Sequence, residues 1–103
     1  MIEVKTREEL NSLLDEKEKV FIKIGHDYCG PCKLTEANIL KIEPLYPDVT
    51  FVKIDSNECE EELLDGIMSV PTLIYYKKGK GQKTFTGLMT EDKLKIMLSD
   101  EKD

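Results

Sequence analysis

The chain has 103 residues, enough for one domain spanning 1–103, and its 40% hydrophobic and 35% charged residues fit a folded globular protein rather than a disordered one. A net charge of −6 argues against a nucleic-acid surface, and no apolar run approaches the ~20 residues that span a bilayer. The start, Met1-Ile2-Glu3-Val4-Lys5, lacks the cationic-then-apolar order of a secretory signal, so a cytoplasmic location is expected, and an odd count of three cysteines does not fit a fully paired disulfide scaffold.

Ile2 to Lys5 alternates and predicts a short first strand. Thr6-Arg7-Glu8-Glu9 has the form of a capping box and opens a helix with Leu10, Leu13 and Leu14 on one face. The mixed charges of Asp15 to Lys19 read as a solvated connection. Val20 to Ile24 is almost continuously apolar, as a central strand covered on both faces requires, with Lys23 its one anomaly. A helix from about Cys32 carries Leu34, Ile39, Ile42 and Leu45 and should end near Pro44 or Pro47. Thr50 to Ile54 is the next strand, parallel to the previous one because a helix joins them. Asp55, Ser56 and Asn57 offer capping side chains for a short acidic helix over Cys59 to Leu64, ended by Gly66. Leu73 to Tyr76 and Gln82 to Phe85 form a hairpin around the basic turn of Lys77, Lys78 and Lys80, which with Lys83 reads as a solvated edge. Thr90 caps a last helix with Leu94, Met97 and Leu98 on one face, and residues 100–103 should fray. The order βαβαββα gives an α/β fold: a mixed central sheet of about five strands flanked by four helices.

The chemistry concentrates in Cys29-Gly30-Pro31-Cys32. Two thiols separated by two residues can close into a disulfide and reopen. Gly30 permits a tight turn, and Pro31 has no N–H to lose at a helix start. A helix beginning at Cys29 sets that sulfur against unsatisfied backbone N–H groups and the positive end of the helix dipole, which favours the nucleophilic thiolate. A CxxC between a strand and a helix, in a chain without an export signal, reads as a redox motif.

Tyr28-Cys29-Gly30-Pro31-Cys32-Lys33 resembles the active-site signature of the thioredoxin family, with Tyr where Trp is commonest. Val70-Pro71-Thr72 is similar to the family's cis-proline motif, and Thr86-Gly87 matches its glycine in the third loop beside the active site. The resemblance covers nearly the whole chain. It implies a protein-disulfide reductase with Cys29 as attacking nucleophile and Cys32 as buried resolving thiol. It also implies a cis Val70–Pro71 bond beside the disulfide, and a flat apolar substrate patch of Tyr28, Gly30, Pro31, Val70, Pro71 and Gly87. The expected partners are disulfide-containing proteins and a flavin- and NADPH-dependent thioredoxin reductase. The protein would act as a monomer and bind no cofactor of its own. Ala37 stands where many members carry a kinking proline, so a straighter helix is expected.

Two other readings compete. A glutathione-coupled, glutaredoxin-like reductase is disfavoured by the CGPC sequence and by the lack of an evident basic pair for glutathione carboxylates. A zinc-stabilised interaction module could draw on His26, Cys29, Cys32 and Cys59, but Cys59 stands far from the other three in sequence. Outside such a site, His26 reads as a surface loop residue and Cys59 as a passive thiol. The departure that matters is Lys23, where many family members carry a buried aspartate paired with a lysine one strand over; at the position of that lysine this chain has Phe51. A buried ammonium needs a partner, and Glu36, four residues after Cys32 on the same helix face, is the candidate. A strand lysine and a helix glutamate would then be the family pair with its polarity swapped, and Glu36 could accept the proton of Cys32. Alternatively, Lys23 runs its methylenes past the core and leaves its amine in water.

Overall fold

The computed structural model describes residues 1–99; the expected fraying of 100–103 lies outside them. Five strands form one sheet: β1 (Ile2–Glu3), β2 (Lys19–Gly25), β3 (Thr50–Asp55), β4 (Thr72–Lys77) and β5 (Gly81–Thr86), in the order β1-β3-β2-β4-β5. β1, β3 and β2 run parallel, whereas β4 and β5 run antiparallel to their neighbours. Three α-helices cover it: α1 (Arg7–Glu16), α2 (Gly30–Ile42) and α3 (Glu91–Met97).

Strand periodicity divides the core in two. Phe21, Phe51, Leu73 and Tyr75 face α2 and α3 and pack with Ile39, Ile42, Leu94 and Leu98. The Phe21 ring meets Phe51 and Tyr75 edge-on, at centroid distances of 5.6 and 6.0 Å. The alternate residues Val20, Ile22, Ile24, Val52 and Ile54 face α1 and pack with Leu10 and Leu63. Truncating a side chain as buried as Phe21 to alanine costs about 3–5 kcal/mol.

Local expectations hold where the signals are local. The Thr6 hydroxyl accepts from the Glu9 N–H at 3.1 Å, and Glu9 Oε1 accepts from the Thr6 N–H at 3.1 Å, which completes the capping box. Thr90 caps α3 by accepting from the Lys93 N–H, and Leu94, Met97 and Leu98 are buried. α2 runs uninterrupted through Ala37 and stops at Ile42, before a 3₁₀ turn over Glu43–Leu45 that contains Pro44.

Four expectations need correction. Among the described residues there are three α-helices and not four, because the acidic stretch forms only a 3₁₀ turn, Glu61–Leu64. Glu60 is held extended: its N–H donates to Lys5 O at 2.9 Å, and its carboxylate accepts from the Arg7 N–H at 2.7 Å. Repulsion among the neighbouring carboxylates removes what helical preference is left. Asp55 caps no helix; its Oδ1 accepts from the Asn57 N–H in a local turn. The apolar face of α2 is narrower than expected, since Leu34 and Leu45 are exposed and Cys32, Thr35, Ile39 and Ile42 point inward. The basic hairpin is not simply solvated: Lys77 is buried with its ammonium over the Tyr75 ring, and Lys78 Nζ donates to Asp15 O at the end of α1. A cavity of about 370 Å³ lies on the α1 side, floored by Ile22, Ile24, Ile54 and Ile74 and bordered by Glu62 and Leu63 of the 3₁₀ turn.

Candidate active site

The sheet topology gathers the site. α2 starts beyond the carboxyl end of β2. Antiparallel pairing of Ile24 with Thr72 sets the start of β4 beside that end, and pairing of Thr72 with Thr86 brings the end of β5 to the same edge. Segments separated from Cys29 by 41 and 58 positions in sequence, at Val70 and Gly87, thereby arrive at the same edge of the sheet. The Val70–Pro71 bond is cis, and Val70 O lies 4.0 Å from Cys29 Sγ. The Gly87 N–H donates to Pro71 O at 2.9 Å. Gly87 has φ of +96°, a left-handed conformation that disfavours any side chain. The following loop is tied to α2, where the Met89 N–H donates to the Thr35 hydroxyl and Asn38 Nδ2 donates to Met89 O.

Cys29 and Cys32 are joined in a disulfide with Cα atoms 5.2 Å apart. Their surroundings differ. Cys29 is the N-cap of α2, partly exposed, and its sulfur accepts the Cys32 N–H at 3.2 Å. Cys32, one turn in, is fully buried. Around Cys29 the surface is apolar and open. Tyr28 is 91% exposed, Gly30 and Pro31 are exposed, Val70 and Gly87 are half-buried, and Pro71 is buried beneath them. Met68, 94% exposed, and Leu88 are further exposed apolar side chains on the same two segments. Sequence reasoning missed both, although Leu88 directly follows Gly87 and Met68 lies two residues before Val70. The His26 ring sits behind Tyr28, whose N–H donates to His26 Nδ1 at 3.2 Å.

Lys23 is 5% exposed, and its Nζ donates to Glu36 Oε1 at 3.0 Å, so the ammonium has the expected helix partner and does not reach water. The other oxygen, Oε2, accepts from Lys53 Nζ at 3.2 Å. Lys53 had not been anticipated. Register pairs Phe51 with Phe21 and sets Lys53 directly beside Lys23, so a lysine on the next strand is present after all, two residues further along. Burial pushes the Glu36 carboxyl up; the hydrogen bonds and charges of Lys23 and Lys53 outweigh it and hold the group below the usual carboxylate range. Gly25 makes this arrangement possible. A Cβ there would lie 2.8 Å from Cys32 Sγ and 3.2 Å from Lys23 Cε.

Cys59 packs half-buried against the α1-side core. Burial pushes its thiol up, and the nearby Asp55 and Glu60 carboxylates push it the same way, which makes it a poor nucleophile. Among the described residues no three His, Cys, Asp or Glu side chains converge to hold a metal, so His26, Cys29, Cys32 and Cys59 do not form a ligand set.

A capped, half-open sulfur bonded to a buried one, at the carboxyl edge of a mixed sheet, defines a dithiol–disulfide exchange site. The chain matches the Thioredoxin family model over residues 1–100. It is 37% identical over 82 residues to a putative thioredoxin-4 of Dictyostelium discoideum, covering 76% of this chain and 79% of that one. It is 30% identical over 99 residues to a thioredoxin of Mycoplasmoides gallisepticum, covering 95% and 99%. Among solved structures, Plasmodium falciparum thioredoxin superposes with a TM-score of 0.83 at 28% identity, over 93% of this chain and 94% of that one. Oxidised mitochondrial thioredoxin 3 of Saccharomyces cerevisiae does so with 0.84 at 25% identity, over 94% and 92%. The chain belongs to the thioredoxin family, and its activity is that of a protein thiol–disulfide oxidoreductase.

Proposed function

We propose that the protein runs in the reducing direction, with Cys29 attacking partner disulfides and Cys32 resolving the mixed disulfide. The observation that carries the assignment is the difference in access: Cys29 is half-open beside the apolar patch, whereas Cys32 is sealed. The Cys29 thiolate attacks one sulfur of a partner disulfide. A mixed disulfide forms, and the first partner thiolate leaves. Cys32 then gives up its proton and attacks Cys29 Sγ. The Cys29–Cys32 disulfide forms, and the second partner thiolate departs and is protonated. Two electrons pass from the dithiol to the partner, and charge and protons balance. An extended partner segment would pair with the Val70 backbone, while Tyr28, Gly30, Pro31, Pro71 and Gly87 supply shape-tolerant apolar contact.

Re-reduction would come from NADPH through a flavin-dependent thioredoxin reductase docking at the same patch, in the cytoplasm. The family membership and the absence of an evident glutathione-carboxylate site in the sequence support this reading. The test is insulin reduction coupled to NADPH oxidation, run in parallel with a thioredoxin reductase and with glutathione plus its own reductase. Turnover with the first alone is expected. Turnover only with glutathione would replace the electron source, and no turnover with either would overturn the proposed direction.

A further inference from the structure

The resolving step asks a sealed thiol to become a thiolate, which burial disfavours. The groups that face Cys32 from each neighbouring element decide whether it can. On β2, Lys23 comes against the same space as the Cys32 sulfur; Glu36 of α2 pairs with it, Lys53 of β3 pairs with Glu36, and Asp55 ends β3. Asp55 is engaged with the Asn57 N–H, and His26 with the Tyr28 N–H. β4 offers only the uncharged Leu73 and Thr72 opposite Lys23 and Ile24. Lys23 Cε and Cys32 Sγ both crowd the same point, within 3.2 Å of where a Gly25 Cβ would be. Two ammonium groups thus share the Glu36 carboxylate, and of the four charged side chains Lys23 is the one that comes against the same space as the sulfur.

The geometry points to Lys23 as the electrostatic partner of Cys32: its ammonium, positioned by Glu36, stabilises the Cys32 thiolate in the resolving step proposed above, on which this inference rests. Glu36 is then a positioning residue and not the proton acceptor. Its two lysine partners keep it ionised and weakly basic. The proton that Cys32 loses is matched by the one the partner's departing thiolate takes up, so the exchange balances without a protein carboxylate. Lys53 occupies the second oxygen of Glu36 and prevents the carboxylate from turning away from Lys23.

The test is a single-turnover reaction of reduced protein with dithiobis(nitrobenzoate). Attack by Cys29 releases one thionitrobenzoate, and resolution by Cys32 releases a second, so the two steps are read in one sample. Lys23→Met should leave the first phase near that of the parent and slow the second about tenfold at neutral pH, with the deficit closing at alkaline pH as the midpoint moves up by about one unit. Lys23→Arg should restore most of the second phase, because the charge is kept. Glu36→Gln removes the counter-charge and should move the second-phase midpoint to lower pH. A shift to higher pH in Glu36→Gln would identify Glu36 as the proton acceptor and overturn the inference. So would a Lys23→Met second phase within about twofold of the parent, or one slowed equally at every pH, since a change of charge must act as a pH shift. If the parent itself releases only one thionitrobenzoate, the dithiol reading fails along with the inference. A parent that releases two while Lys23→Met matches it removes the inference alone.

Discussion

At the scale of single residues, the two active-site sulfurs are made different by one turn of helix. That difference predicts an asymmetry among variants. Cys29→Ser should abolish disulfide exchange. Cys32→Ser should accumulate mixed disulfides with partner proteins, visible on non-reducing gels and reversed by dithiothreitol, because attack survives and resolution does not. Cys59→Ser should turn over insulin at close to the parent rate, since its thiol is half-buried and faced by carboxylates. Gly25 is a further constraint. Gly25→Ala puts a methyl 2.8 Å from Cys32 Sγ, and overpacking of that kind should cost about 1–3 kcal/mol, read from the urea midpoint. The cysteines, Pro71 and Gly87 were legible because each carries its chemistry or backbone geometry in its own identity. Lys23 was legible as an anomaly, a charge inside an apolar strand. Lys53 was not, since in isolation it is one more lysine in an alternating strand. Only register, which depends on two strands meeting in space, gives it a role.

At the scale of elements, the starts of α1 and α3 were read correctly, α2 begins at Gly30 rather than at about Cys32, and one helix was overcalled. The Thr6–Glu9 box is complete, so Thr6→Ala should destabilise the protein by about 1 kcal/mol in denaturant unfolding, with α1 fraying first. The same arithmetic of local signals promised a helix at Cys59 to Leu64. What defeated it is non-local: Glu60 is pinned to Lys5 and Arg7, more than 50 residues away in sequence. Exposure of Leu34 and Leu45 has a similar origin, because the angle at which α2 lies on the sheet decides which part of an apolar stripe is covered. The link from α2 to the sheet also has a pH signature. The folded Glu36 carboxyl titrates below its unfolded value of about 4.5, so the unfolded chain binds the proton more tightly. The stability this contributes is present above that value and is lost as pH falls through the lower, folded one. Urea midpoints of the parent should therefore drop across that acid range, and Glu36→Gln should show a shallower drop. An identical acid limb in the two proteins would mean that the lysine–glutamate link contributes nothing.

At the scale of the whole molecule, two of the strand pairings could be argued from the sequence because connection length dictates them. A helix between β2 and β3 forces parallel pairing, and a short basic turn between β4 and β5 forces a hairpin. The division of the core between the two faces of the sheet follows from alternation within each strand. The cavity on the α1 side does not, since it depends on how α1 and the Glu61–Leu64 turn lie over the sheet. Its volume invites filling. Leu14→Phe, at its rim, should raise stability by about 1 kcal/mol, with an unchanged denaturant slope if the fold is kept. A loss of stability would show that the lining is already close-packed around the opening.

The cap on α2 ties oxidation state to a backbone amide. The Cys32 N–H donates to Cys29 Sγ, and in the reduced protein the same amide would point at a thiolate, a charged and stronger acceptor. One peptide proton therefore reads the redox state directly. Its hydrogen exchange should slow and its amide resonance should move when the disulfide opens, while amides deep in β2 and β4 stay put. Following that proton in intact cells would report how much of the protein is charged with electrons at a given moment, without any label at the cysteines themselves.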